Sequence, residues 1–596
     1  MPCRITATVI LSSMVALSAG CGDLFETDAS ARQRRDVESP LAGYQANLLP
    51  LVTPCSYAAK SGIVTVWMNP SEIANISKRS VDSALLIQGV TCDDTTGTVP
   101  VSAQTTKLKT INIGPDSTSG SKVDLGSTSE IIILDLSGGP IAPAGAAGGG
   151  IYVDLGGSND QINVLGAKTA EKMGCTLCSG KECLGLASPT GTDVRITTYT
   201  GNAYTIDLSD GADSFDKGNC VTPMEIYGGA GADTFLVGSN TSQAGDHYHG
   251  GADIDTISYA SRLTAIVAVA DGTTPSGDPS GSGEQDVIEA DIENIVGGAG
   301  DDRLVAAKDS KAKHSVNGGP GNDTLLSSVG SSTTLIGGPG VDTVDYSDRT
   351  TGIAATIGDN KANDGATGDA DSIGADVENI VGSDFDDVIV GSPQSNIIAA
   401  GLGNDTVSGG DGDDTILASA SSADGNDTIV GGKGNDTVDY SARTSGGVCV
   451  VLDGLTRSGA CSFSIGNSTM NVSSSDSDLI GNDIETVVGT VGDDHLVGNS
   501  SGNYLIGLGG ADWLEGRAGN DQLDTNIYMS AHGYICIPTT LACVTGSGSG
   551  SCDCASSVLT RSCSTTATID CGGDPLDLGA CMGADPSQFI DCWRTQ

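Results

Sequence analysis

Asp387, Asn396, Asp405 and Asp414 stand nine residues apart, each at the sixth place of one repeated template. Over 382–417 the chain reads GSDFDDVIV, GSPQSNIIA, AGLGNDTVS and GGDGDDTIL, and over 489–524 GTVGDDHLV, GNSSGNYLI, GLGGADWLE and GRAGNDQLD. The second block puts Asp494, Asp512 and Asp521 at that place. Looser copies from Gly228 onward add Asp233, Asp255, Asp302, Asp323, Asp342, Asp427 and Asp436. A carboxylate is a hard anionic oxygen donor of the type Ca2+ prefers. The surrounding glycines allow positive φ and close backbone approach, so carbonyl oxygens can turn toward the same ion. The chemistry expected of these thirteen aspartates is calcium ligation.

Each aspartate must be held by something regular. The template divides into a glycine-rich turn and a very short strand. Its eighth residue (Ile389, Val407, Ile416, Ile429, Leu496, Leu505, Leu514, Leu523) is apolar. Side chains alternate along a strand, so this residue points inward while its two neighbours point out. No helical periodicity appears in the mature chain.

The template resembles the nonapeptide G-G-x-G-x-D-x-U-x, U apolar, of RTX or haemolysin-type calcium-binding repeats. The resemblance covers about half of the chain. It implies an all-β fold, a parallel β-roll or β-helix solenoid in which two nonamers make one coil. Turns on one side would then stack Asp387 on Asp405 and Asp494 on Asp512. On the other side Asn396 would meet Asp414 and Asn503 would meet Asp521, with one charge fewer and weaker binding expected. Stacked carboxylates about 5 Å apart repel by about 3 kcal/mol per pair at an effective dielectric of about 20. One apolar side chain per repeat does not offset that repulsion and the chain entropy together. An ion bound only by the folded form adds about 2.7 kcal/mol per site at a hundredfold excess over its dissociation constant. Folding and calcium loading are expected to be one event.

The 596 residues carry 75 acidic and 28 basic side chains, a formal charge of −47, which argues against nucleic acid as a partner. Arg4 followed by ITATVILSSMVALSA reads as an export signal over residues 1–20. That run is too short for a lasting membrane anchor. LSAGC resembles a bacterial lipobox, which would make Cys21 the lipidated first residue of the mature protein and 21–54 a tether. Membrane contact is expected only through that lipid. Setting Cys3 and Cys21 aside leaves sixteen of eighteen cysteines in local even sets: Cys55 with Cys92; Cys175, Cys178, Cys183 and Cys220; Cys449 with Cys461; and eight from Cys536 to Cys592. That distribution reads as disulfides in an oxidising compartment.

Residues 55–225 are expected to form a β-rich, degenerate solenoid, 226–526 the calcium repeats, and 527–596 a disulfide-rich C-terminal cap. Within 226–526 a longer module recurs three times, opening with DTISYASR, DTVDYSDRT or DTVDYSART and closing with DIENIV, DVENIV or DIETVV. Tyr259, Tyr346 and Tyr440 mark the openings; Glu293, Glu378 and Glu485 mark the closings. Arg262, Arg349 and Arg443 recur with the tyrosines and are expected in structural ion pairs.

Catalytic machinery is hard to find. There are five histidines and no H-E-x-x-H, and the G-x-S-x-G at 498–502 lies inside a nonamer, where no strand-to-helix turn can form. His247 and His249, two apart on one strand face, could hold a transition metal or simply face solvent. His495 occupies an outward place and is expected to be exposed. The sequence therefore leans away from an enzyme without deciding the matter. It points to an exported, calcium-binding surface protein of structural or adhesive role, lipid-anchored at the outer membrane or extracellular. Its partners would be calcium and a polysaccharide or protein of a cell surface or matrix. The alternative is a calcium-dependent secreted carbohydrate-active enzyme of lyase or epimerase type.

Overall fold

Most three-residue strands of the array bury their central side chain, as Val388–Val390 and Tyr504–Ile506 do. In the computed structural model Val388–Val390 pairs in parallel with Thr406–Asp411, and Ile397–Ala399 with Thr415–Leu417. Thr486–Val488, Tyr504–Ile506 and Asn520–Asp524 form a similar row. Alternate nonamers thus fall on opposite sheets, two to a coil, and Asp387 lies 18 residues before its stacked partner Asp405. Where short insertions enter, the spacing between stacked aspartates grows to between 19 and 22 residues. The eighth-place residues form the core: Ile389, Leu496, Leu505, Leu514 and Leu523 are fully buried, and Val407, Ile416 and Ile429 are nearly so. Burying each contributes about 1.5–3 kcal/mol.

The structure describes residues 203–524 almost continuously, strand segments between 55 and 197, and Cys552–Ala555. The expected signal, the tether with Cys21, and the C-terminal cysteine region apart from Cys552–Ala555 lie outside the described residues. Every regular element among the described residues is a strand, and none is a helix long and apolar enough to cross a membrane.

The coil begins before the repeats. Ile63–Met68, Thr110–Pro115, Gly150–Val153 and Asp193–Thr197 form one parallel row. Ile73–Lys78, Ile131–Asp135, Gln161–Leu165, Ala203–Asp207 and Met224–Ala230 form the other. The sheet passes through 225/226 without a break, because that point lies inside Met224–Ala230. An antiparallel hairpin, Lys172–Cys178 with Lys181–Ala187, interrupts the winding, and the Cys175–Cys220 disulfide ties it to the coil that follows.

The three longer modules are wider coils. Arg262 and Glu284 pair out of solvent, as do Arg349 and Asp369 and, through both carboxylate oxygens at 2.9 Å, Arg443 and Asp424. Arg349 and Arg443 also lie over the Tyr346 and Tyr440 rings, 5.2 and 4.6 Å from their centres. The tyrosine hydroxyls donate to Asp286, Asp371 and Asp478, which anchors each wide coil to buried acid. A disulfide between Cys449 and Cys461 closes the third wide loop.

Candidate metal centre

The sixth-place aspartates are bonded to one another through the backbone. Above the first member of a row, each sends one carboxylate oxygen to the amide N–H of the aspartate or asparagine one coil earlier. Asp233 N–H donates to Asp255 Oδ1 at 2.7 Å, and Asp302 to Asp323 and Asp323 to Asp342, both at 2.8 Å. The rows Asp387–Asp405–Asp427 and Asn396–Asp414–Asp436 repeat the pattern on the two sides of the coil, and Asp494–Asp512 and Asn503–Asp521 repeat it further on. The rise between coils is that of a β-sheet, so one oxygen of each side chain reaches the neighbouring backbone and the other lies between two turns.

That second oxygen separates two kinds of turn. In Asp233, Asp255, Asp323, Asp342, Asp405, Asp414, Asp436, Asp512 and Asp521 the Oδ2 is buried and has no hydrogen-bond partner. In Asp302, Asp387 and Asp494 it accepts the N–H of the second residue of its own turn: Gly298 at 2.5 Å, Ser383 at 2.6 Å and Thr490 at 2.7 Å. The backbone of that second residue decides. In the open turns it has positive φ, as at Gly410 (+118°) and Gly432 (+114°), and even at Leu508 (+63°) and Arg517 (+65°). With φ reversed, its N–H no longer faces the carboxylate. The self-closed turns are those that follow a wide coil, where no earlier turn lies beneath them to share a site. Their Oδ1 accepts instead from Ile266, Ile353 and Val448 in the wide coil.

Three of the stacks have an upper end supplied by the D-x-E tripeptides at 291–293, 376–378 and 483–485, while the row through Asp427 ends on Asp478. Glu293, Glu378 and Glu485 take the amides of Asp255, Asp342 and Asp436 in place of a further aspartate. Asp291, Asp376 and Asp483 take the amides of Gly251, Gly338 and Gly432. The recurrence of these glutamates was visible in the sequence, but their capping role was not, since their partners lie 36 to 49 residues away.

The two asparagines have a structural cause. Asn396 Nδ2 donates to the Glu378 carbonyl at 2.6 Å, and Asn503 Nδ2 to the Ile484 carbonyl at 3.2 Å. An aspartate has no donor to offer there. Both asparagine oxygens are also occupied, by the N–H groups of Ser392 and Asn499. They start stacks; they are not weakened copies of an open turn.

Buried carboxylates crowded in this way resist ionisation. Burial first, offset by the backbone amide and reinforced by neighbouring carboxylates, pushes Asp512 up to about 9 and Asp255 and Asp427 to about 8. Asp323, Asp405 and Asp494 rise to about 7, and Asp233, Asp342, Asp414 and Asp521 to about 6. Asp302, Asp387 and Asp436 are also raised. The walls between turns complete the donor set. A Cβ at Gly409 would run into Asp414 Oδ2 and the Gly431 carbonyl, and one at Gly432 into the Gly410 carbonyl. Buried, unpartnered anionic oxygens facing backbone carbonyls are the hard oxygen environment that suits Ca2+, so the residues present fit such an ion.

Of the histidines, His495 is half-buried rather than exposed. It lies beside the Cys449–Cys461 disulfide with its ring edge toward Trp513, and burial pushes its pKa down to about 4. No curated protein matches the chain. A model of the RTX calcium-binding nonapeptide repeat, four copies long, matches residues 225–243, 289–309, 374–417, 421–442, 480–505 and 488–523. Asp255, Asp323 and Asp342 fall between those segments but share the same ladder and the same unpartnered oxygens. By its geometry and by this match, the chain carries RTX calcium-binding repeats.

Proposed function

We propose that this protein is an exported surface element whose coil closes when calcium enters its open turns. The nine buried, unpartnered carboxylate oxygens carry the reading, because no donor among the described residues reaches them. Asp233, Asp255, Asp323, Asp342, Asp405, Asp414, Asp436, Asp512 and Asp521 hold the ions together with turn carbonyls. Asp427 belongs to the same row. Asp302, Asp387 and Asp494 each form the floor of one stack and reach an ion only by releasing an amide. Once loaded, the array is a stiff acidic rod presented from a lipid on Cys21, with a structural or adhesive role toward a surface polysaccharide or protein. A cysteine pattern fitted to an oxidising compartment and the export-type N-terminus support that placement.

Exhaustive removal of divalent ions, followed by calcium titration under circular dichroism and calorimetry, tests the central point. Loss of β signal and of the melting transition is expected, with both regained cooperatively on titration. Retention of full β content and melting temperature in the ion-free protein would sink the proposal. The anchor is tested separately: the mass of the mature N-terminus should show a diacyl or triacyl Cys21, and an unmodified residue there refutes it. Polysaccharide turnover that disappears in Asp207→Ala or Asp210→Ala would replace the structural role with a carbohydrate-active enzyme.

A further inference from the structure

Just before the first open turns of the array, two strands bring imidazoles and carboxylates together on the outer face of a sheet. Met224–Ala230 and His247–Ala252 run parallel, with Glu225 opposite His247 and Tyr227 opposite His249. One donor atom from each of Glu225, His247 and His249 lies within 4.8 Å of the other two. His249 Nε2 stands 3.6 Å from Glu225 Oε1, too far for a hydrogen bond. It is buried and has no hydrogen-bond partner. Two ligands held at about 2.0–2.1 Å by a tetrahedral ion lie about 3.4 Å apart, close to that separation. From the next coil, which pairs His247 with Val287, Glu289 brings its Oε1 to 2.7 Å from His247 Nε2. Glu289 is thus a hydrogen-bond partner of His247, the kind of carboxylate that orients a metal-ligating imidazole.

The surroundings fix these side chains. The Tyr227 ring stacks on His249 at 4.2 Å with the planes 7° apart, and its hydroxyl donates to Glu225 Oε1 at 2.6 Å. The His247 and His249 side chains are 35% and 19% exposed, so the cluster lies at the surface of the coil and not in its core. This donor set differs in kind from the turns. Imidazole with carboxylate suits zinc, copper or nickel, whereas calcium takes oxygen alone.

We infer that Glu225, His247 and His249 form a binding site for a d-block divalent cation of the zinc class at the entrance to the calcium array, with Glu289 of the next coil positioning His247. Three protein ligands leave the fourth tetrahedral position to a water molecule. Nothing in this assignment requires the turns to hold calcium, so it stands or falls independently.

The test uses the full chain in millimolar calcium, so that acidic turns are already occupied. Co2+ is titrated with the visible absorption recorded, and Zn2+ is then added as competitor. One equivalent of Co2+ is expected to give tetrahedral-type bands that Zn2+ abolishes. Zn2+ should also raise the melting temperature of the calcium-loaded protein. Replacing both histidines (His247→Ala with His249→Ala) should weaken Zn2+ binding at least 100-fold and remove the thermal shift. Glu289→Gln, which alters the partner that positions His247, should weaken it about tenfold. Calcium-loaded circular dichroism shows whether each variant is folded, and Glu289→Gln alone decides the matter should the double variant fail. The inference is overturned by an absence of zinc-dependent signal in the wild type, which would mean an imidazole–carboxylate ion pair only. It is equally overturned by Zn2+ affinity unchanged in folded variants, which would mean general acidic-surface binding.

Discussion

Whether a repeat aspartate is free for an ion depends on a neighbour four places earlier. Asp405 and Asp387 occupy the same place in the template, yet Asp405 keeps a bare oxygen and Asp387 spends both on amides. The sequence showed which residues could ligate, because a carboxylate at every ninth place has no other evident purpose. It did not show which of them are open, because that follows from the φ of the second turn residue and from what lies one coil below. Ser383, Thr490 and the asparagine turns close on themselves, while Leu508 and Arg517 take positive φ against their own preference. Charge counting alone would make Asn396→Asp a gain, since it restores a missing ligand charge. The geometry reverses that expectation. The substitution removes the amide that donates to the Glu378 carbonyl and sets a carboxylate oxygen against that acceptor. Loss of this buried bond should cost about 1–3 kcal/mol. Melting in saturating calcium checks it: a lower temperature for Asn396→Asp is expected, and a higher one refutes the capping argument.

Among the elements, the strands were the most legible part of the chain. The apolar eighth place is buried throughout the array, as its alternation required. The wide coils were legible only as recurring letters. Their Tyr, Arg and acid meet across loops of variable length, so spacing alone could not show that Arg443 would pair with Asp424, 19 residues earlier. Each wide coil does the work of a spacer: it carries no open turn, and its own buried ion pair replaces the missing metal. Removing one partner of such a pair leaves the other charge buried without compensation, at a cost of about 3–5 kcal/mol. Arg443→Met keeps the side-chain volume and strands Asp424 in this way. Urea unfolding in saturating calcium should show the loss in full, with recovery when Asp424→Asn is added. A single variant as stable as the parent would mean that the wide coil is held by its strands and its Cys449–Cys461 bridge alone.

At the scale of the whole molecule, a charge of −47 and a parallel coil are compatible only if something neutralises the rows of acid. Two species can do so, protons and calcium, and they must compete. Apart from Asp436, which is raised as well, burial puts the open-turn carboxyls between about 6 and about 9 in the folded state, whereas an unfolded aspartate ionises near 3.9. Between those values the folded chain binds more protons than the unfolded one, so ion-free stability falls as pH rises. It should be complete below about pH 4 and exhausted above about pH 9. Calcium requires ionised ligands, so its uptake must expel the protons held by the turns. The ion-free protein should therefore melt at a higher temperature at pH 5 than at pH 8. Saturating calcium should abolish or reverse that difference, and calcium added to a weakly buffered solution at pH 7 should acidify it. An ion-free melting temperature that does not change across this range would mean that the carboxylates are solvated after all, and that the coil is closed by its apolar ladder without help from either cation.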